Sequence, residues 1–320
     1  MKRLSFFLMA VWVVVGTGCG GSPGESEVEA RGRIGMTCMD LTNPFFKLIA
    51  NVMAEEAARH GYELTALSGE LDPAKQNSQM TDFVAQGYDA IFLNPVDSKT
   101  AGQGVKAAHE AGIPVFTFDV QVSDEEAAEL VVSHIGSDNY QGGRLAGESM
   151  MEALGNEGRV AIVSLPEVTS CILRVDGFRD ALEKAESPIE IVTELSGRGS
   201  RDGGYAVTTD ILQAHPEIDG IFAINDPSAL GAHAAVAKVD RAGEITVIGF
   251  DASPAGKQAV YEGKLYDTPQ QFPRKMARGT VDAFVRYLAG EEVEKKRLIP
   301  CSHYRREDAM DDPSRVEEQW

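Results

Sequence analysis

From Arg33 onward, short apolar runs alternate with stretches whose apolar residues recur at the 3.6-residue helical period. The runs near 33–38, 62–67, 89–94, 113–118 and 130–135 predict a first series of strands. Runs near 158–164, 189–194, 219–224 and 244–250, with a short one at 265–268, predict a second. Helices are predicted at about 44–59, from 73 onward, between 94 and 113, from 139 to about 154, and near 172–185, 203–214, 227–239, 254–262 and 273–289. Asn43-Pro44 and Asp72-Pro73 each combine a capping side chain with a proline at the first helical position. Strict alternation of strand and helix requires parallel sheets covered by helices on both faces. The charged tail at 292–320 is predicted to be irregular, crossing back once and then fraying.

One pattern occurs twice. Residues 88–119 and 218–251 both read as an apolar strand ending in Asn, a helix, and a second strand ending in Phe-Asp. The pairs are Asn94 with Asn225, and Phe118-Asp119 with Phe250-Asp251. Ligands bind at the carboxyl ends of strands in open parallel sheets. Two copies therefore predict two similar lobes whose polar mouths meet in a cleft. Phe45 and Phe46 follow the capping Asn43 at another strand mouth, where they are either core residues or a stacking wall. Asp119 and Asp251 are either ligand contacts or caps on a following turn.

Composition narrows the picture. A chain of 320 residues suits two lobes of ordinary size. Thirty Lys and Arg against 49 Asp and Glu give a net charge of −19, which disfavours nucleic acid and anionic lipid. Dinucleotide, phosphate-loop, nucleophile-elbow and zinc-protease motifs are absent, and Gly197 to Gly203 has the wrong spacing for the first. His134, beside Ser133 at a strand end, reads as structural. Neither a cofactor nor a metal is expected. Met1-Lys2-Arg3 and the apolar run to Val15 read as an export signal, too short to span a membrane. Gly16-Thr17-Gly18-Cys19 resembles a bacterial lipoprotein cleavage site, which implies lipidation of Cys19. Residues 20–31 read as a flexible tether. Cys38, Cys171 and Cys301 then allow at most one bridge, and Cys38 is expected to be a buried small hydrophobe.

The motifs Thr42-Asn43-Pro44-Phe45-Phe46, Asn94-Pro95-Val96-Asp97-Ser98, Ser133 to Asn139, Asn225-Asp226, Gly249-Phe250-Asp251 and Gln271 resemble the ribose-binding branch of the periplasmic sugar-binding proteins. The resemblance runs from about Arg33 to Ala289. It implies two flavodoxin-like, doubly wound lobes with hinge crossings near Ser137, Gln271 and Ile299. The implied division is 32–137 plus 272–299 against 138–271 plus 300–320. It further implies that Phe45 and Phe46 pack on a sugar ring. Asn43, Asn94 and Asp119 would bond hydroxyls from one lobe, and Arg174, Asn225, Asp251 and Gln271 from the other lobe and the hinge. Val120, Ser137 and Phe250 complete the implied site. Four departures stand out: Val120 replaces an Arg of the ribose pattern, Met39 a Ser, the loop Arg198-Gly199-Ser200 a stacking Phe, and Cys171 with Ile172 line the site in place of smaller or charged residues. A site with one cation fewer suits a deoxy-sugar, another pentose or hexose, or a polyol.

The implied function is a monomeric, lipid-anchored receptor, periplasmic or at the cell surface, that hands a neutral sugar or polyol to an ABC transporter permease. A sensor presenting its ligand to a membrane receptor or kinase would use the same binding chemistry. A sugar-responsive repressor shares the fold but needs a DNA-binding helix-turn-helix, whose place the export signal takes. An enzyme would have to show turnover of a sugar.

Overall fold

The computed structural model describes residues 31–313. The signal segment, Cys19 and nearly all of the tether lie outside them. The elements in chain order are β1 (Gly32–Cys38), α1 (Pro44–Arg59), β2 (Tyr62–Ser68), α2 (Pro73–Ala85), β3 (Ala90–Leu93), α3 (Gly102–Glu110), β4 (Val115–Phe118), α4 (Glu125–Leu130), β5 (Ser133–Ser137) and α5 (Asn139–Ala153). There follow β6 (Arg159–Ser164), α6 (Thr169–Lys184), β7 (Glu190–Ser196), α7 (Arg201–Ala214), β8 (Gly220–Ala223), α8 (Asp226–Lys238), β9 (Thr246–Ile248), α9 (Pro254–Tyr261), α10 (Pro273–Leu288), β10 (Lys296–Ile299) and α11 (Arg306–Asp311).

The strands form two parallel sheets. One has the order β10-β5-β4-β3-β1-β2 and the other β7-β6-β8-β9. Both are doubly wound, with the order reversing beside β1 and beside β6. The four residues of β3 and of β8 are all buried, as strands covered on both faces require. Phe284 of α10 packs edge-on against Phe92 and Phe116 under the first sheet, at 5.8 and 5.9 Å between ring centroids. Phe178 of α6 stacks on Phe222 of β8 at 4.7 Å in the second lobe.

Local chemistry starts α1 and α2 as expected. Asn43 accepts from the Phe45 N–H, and Asp72 from those of Ala74 and Lys75. Three expectations need correction. The strand near 130–135 begins only at Ser133, because Asp124 caps a short helix through Leu130. Residues 265–268 form isolated bridges, through Asp267 to Ile248 and to Arg305, instead of a strand. The tail is not irregular: β10 adds a sixth strand beside β5, and α11 packs on α9. Partners remote in sequence create both tail elements.

The chain crosses between sheets three times. It leaves after β5, returns between β9 and α10, and leaves again after β10. The second and third crossings pair antiparallel, Gln270 with Ser302 and Asp267 with Arg305. Buried Asp267 ties them to α5: Ser149 donates to it at 2.5 Å, the Tyr304 N–H at 3.0 Å, and His303 Nδ1 lies at 2.6 Å.

Candidate functional site

A cavity of about 350 Å³ lies between the two sheets at the carboxyl ends of their strands. Asn43, Phe45, Phe46, Asp119 and Val120 line it from the first lobe, and Arg174, Asn225, Asp251 and Gln271 from the second lobe and the crossing. Nine of the twelve residues expected at the site therefore meet there.

The two strand-end carboxylates share an unusual backbone. Asp119 has φ 60° and Asp251 φ 116°, both on the left-handed side that non-glycine residues rarely occupy. The chain turns sharply there, which ends each strand and aims the carboxylate into the cleft. Neither Asp caps a helix: α4 is capped by Asp124 and α9 by Ser253. Asp119 accepts from Asn94 Nδ2 at 3.1 Å through one oxygen. Its other oxygen, Oδ1, is buried without a partner. Asp251 accepts from Gln271 Nε2 at 2.7 Å and from Arg174 Nη1 at 3.2 Å. Gln271 Oε1 is again buried without a partner.

Arg174 sits in the second turn of α6. Its Nε donates to Asn139 Oδ1 at 2.8 Å, its Nη1 to the Ile224 carbonyl at 2.7 Å, and its guanidinium lies 3.9 Å over the Phe250 ring. Nη2 has no hydrogen-bond partner among the described residues. Two glycines permit this placement. A Cβ on Gly143 of α5 would lie 2.1 Å from the Arg174 carbonyl, and one on Gly177 of α6 would lie 2.0 Å from that of Tyr140. The two helices therefore pack backbone against backbone.

Charge is unbalanced here. Burial is the largest influence on Asp119 and pushes its carboxyl up to about 7; Arg174 opposes this and Asp251 adds to it. Burial raises Asp251 as well, and it raises Asp226, which lies behind Asp251 and accepts from Ser253 and Thr268. Burial holds the Cys171 thiol at about 11, so the sulfur faces the cavity as an uncharged group.

Three expected contacts stand behind the wall. Asn94 is fully buried, with Oδ1 accepting from the Met39 N–H and Nδ2 donating to Asp119. It orients the carboxylate, and its amide has little left for a ligand. Phe250 lies beneath Arg174 as a platform. Ser137 ends β5, buried opposite Ile299 of β10. Asn225 does line the cavity, yet its amide caps α8 through Ser228 and holds the Gly199 carbonyl. Phe45 and Phe46 turn out to be core and wall together: both are about 95% buried, both line the cavity, and their rings meet edge-on at 5.3 Å.

Sequence reasoning passed over Leu71, Leu165, Val168, Ser170, Leu230 and Ser253 in the wall, and Asn139 behind Arg174. Asp138-Asn139 carried a signal, since the capping Asp is followed by an amide free to face α6. Cys38, Cys171 and Cys301 are free and buried. Among the described residues no group of His, Cys, Asp or Glu is arranged to hold a metal ion. No helix among them is long and apolar enough to cross a membrane.

Comparison with known proteins agrees with this geometry. The periplasmic binding protein domain model matches residues 34–292. The ribose import binding protein RbsB of Escherichia coli is 33% identical over 297 residues, which is 92% of this chain and 96% of that protein. An ABC transporter solute binding protein from Agrobacterium vitis with bound D-fucose superposes with a TM-score of 0.83 at 28% identity, covering 90% of this chain and 100% of that one. One from Bacillus halodurans with bound myo-inositol gives 0.82 at 28%, covering 90% and 99%. With two doubly wound lobes, a polar cleft between them and these relatives along nearly its whole length, the chain belongs to the periplasmic binding protein family.

Proposed function

We propose that this protein is an extracytoplasmic receptor that captures a neutral monosaccharide or polyol and delivers it to an ABC importer. One observation carries the reading. Asp119 Oδ1 on the first lobe and Gln271 Oε1 on the second crossing are buried acceptors without partners in residues that line one cavity. A buried polar atom left unpaired costs about 1–3 kcal/mol, so the cleft is completed by a ligand dense in O–H donors. Arg174 Nη2 supplies a donor in return. A sugar hydroxyl donates and accepts at once, and the Phe45–Phe46 wall suits the apolar face of a ring. The relatives' names, ribose import and bound D-fucose or myo-inositol, are of the same ligand class.

The residues proposed to touch ligand are Asn43, Phe45, Phe46, Asp119, Val120, Arg174, Asp251 and Gln271, with Asn94, Asn225 and Phe250 holding them in place. The lobes divide at the crossings, 32–137 plus 272–299 against 138–271 plus 300–320. No step of catalysis is assigned to the cleft. The receptor acts as a monomer, anchored by lipid on Cys19 and facing its permease. Cys19→Ser should release it from the membrane fraction; wild-type protein already soluble, with a mature terminus other than Cys19, would replace anchoring by simple export.

The test of the main reading is thermal stability of the chain from residue 20 with D-ribose, D-allose, D-fucose and myo-inositol. A ligand at about 100 times its dissociation constant stabilises by about 2.7 kcal/mol. No shift with these or a wider panel of sugars and polyols would overturn it.

A further inference from the structure

The lobes also touch without using the crossings. Helix α6 begins at Thr169, and its capping position is Val168, whose side chain has no acceptor. In the second lobe α5, α7, α8 and α9 each begin on a side-chain cap of their own. The cap of α6 comes from the other lobe: Ser98 Oγ, in the loop between β3 and α3, accepts from the Thr169 N–H at 3.1 Å. Around this bond lie three more. Ser98 Oγ is 3.3 Å from Thr169 Oγ1, Thr169 Oγ1 donates to the Gln121 carbonyl at 3.2 Å, and the Ser98 N–H donates to the Glu167 carbonyl at 3.4 Å. Ser98 is only 3% exposed, and its loop is fixed on its own side. Asp97 accepts from the Lys99 and Thr100 N–H groups, and the Ser98 carbonyl accepts from Ser123.

The helix that receives this cap carries Ser170, Cys171 and Arg174 into the cavity, whereas Ser98 itself is not part of the cavity wall. We propose that Ser98 is a positioning residue that caps α6 in trans, so that closing the lobes completes the helix carrying Arg174 and opening them uncaps it. Ligand affinity then contains a contribution from a residue that never touches ligand. The cap is made only in the closed form, so its loss moves the balance between open and closed and leaves each separated lobe intact. This inference rests on reading the cleft as the sugar site, and its test separates the two.

The experiment uses the chain from residue 20. Ser98→Ala removes the acceptor, Ser98→Thr keeps one, and the double variant Ser98→Cys/Thr169→Cys replaces two touching hydroxyls by thiols. Whichever of D-ribose, D-allose and myo-inositol binds the wild type should bind Ser98→Ala about fivefold more weakly, the usual strength of a helix cap. Ser98→Thr should recover most of that loss. The ligand-free melting temperature should be the same for Ser98→Ala and wild type. The double-cysteine variant should form an intramolecular disulfide under mild oxidation and show, without ligand, a smaller radius of gyration than its reduced form. An equal fall in ligand-free and liganded melting temperature would make Ser98 an ordinary structural residue and overturn the proposal, as would failure of the 98–169 cross-link. If none of the three sugars binds the wild type, the sugar reading fails by itself, and the cross-link and ligand-free melting still decide the cap.

Discussion

Asp119 concentrates the physics of the site in one side chain. It is buried, held at φ 60°, bonded to Asn94 through one oxygen and unpartnered at the other. Its carboxyl is raised from 3.8 to about 7, so the folded protein retains a proton that the unfolded chain gives up at a lower pH. Between about pH 4 and 7 the unfolded state then binds fewer protons than the folded one, and ligand-free stability falls as pH rises. Calorimetric melting of the ligand-free protein should show this fall, and Asp119→Asn should reduce it, the remainder coming from Asp226 and Asp251, whose carboxyls burial also raises. A ligand hydroxyl donating to Oδ1 favours the carboxylate. Binding should therefore release a proton and tighten as pH rises through about 7. Apparent binding enthalpies in phosphate and Tris buffers should differ, and equal values would show that no proton leaves. Val120, beside it, offers only methyl groups to the cavity. A ligand hydroxyl facing it would lose water without gaining a partner, at about 1–3 kcal/mol. D-ribose should bind at least about tenfold more weakly than the best deoxy-sugar or polyol; submicromolar ribose binding, tighter than every other sugar, would remove the role given to Val120.

At the scale of elements, caps and close helix contacts decide which side chains remain free for ligand. Asn225 shows how an amide at a strand mouth can be used up by the fold: it starts α8 and pins the loop at Gly199, which carries Arg198 to the rim. Asn225→Ala should cost about 1 kcal/mol of stability without any ligand present. Asp119→Ala removes an unsatisfied buried acceptor and should cost far less stability while weakening ligand by about 1.5–3 kcal/mol. Comparing the two variants by melting and by calorimetry distinguishes a structural amide from a binding carboxylate. β10 is the contrasting case. Three of its four residues are exposed, and it is ordered by pairing with β5.

At the scale of the molecule, two lobes joined by three crossings enclose a cavity whose polar atoms come from both. A ligand favours the closed arrangement only through contacts absent from the open one, and here the cavity offers it polar groups of both lobes, Asp119 from one and Asp251 and Arg174 from the other. Solution scattering should give a smaller radius of gyration with ligand than without. An identical radius in both states would mean that the lobes do not move, and would remove the means by which a permease distinguishes loaded from empty receptor.

The alternation of strands and helices, the proline-bearing helix starts and the doubled Phe-Asp strand ends were all legible in the chain, because short-range periodicity and capping are local chemistry. Those signals located the two lobes and, in the cavity wall, Asn43, Phe45, Phe46, Asp119, Asn225 and Asp251, whereas Val120, Arg174 and Gln271 came only through the family resemblance. Tertiary structure alone decided how the amides and serines are used. Asn94 faces Asp119 because β3 lies between β1 and β4, Asn225 is drawn off by the Gly199 carbonyl, and Arg174 is set by an α5–α6 contact that two glycines make possible. The ordering of β10 and the capping of α6 by Ser98 depend on partners about 160 and 71 positions away. A hydrogen bond to so distant a partner leaves no periodic trace in the sequence, since its geometry exists only once the two sheets have formed and met.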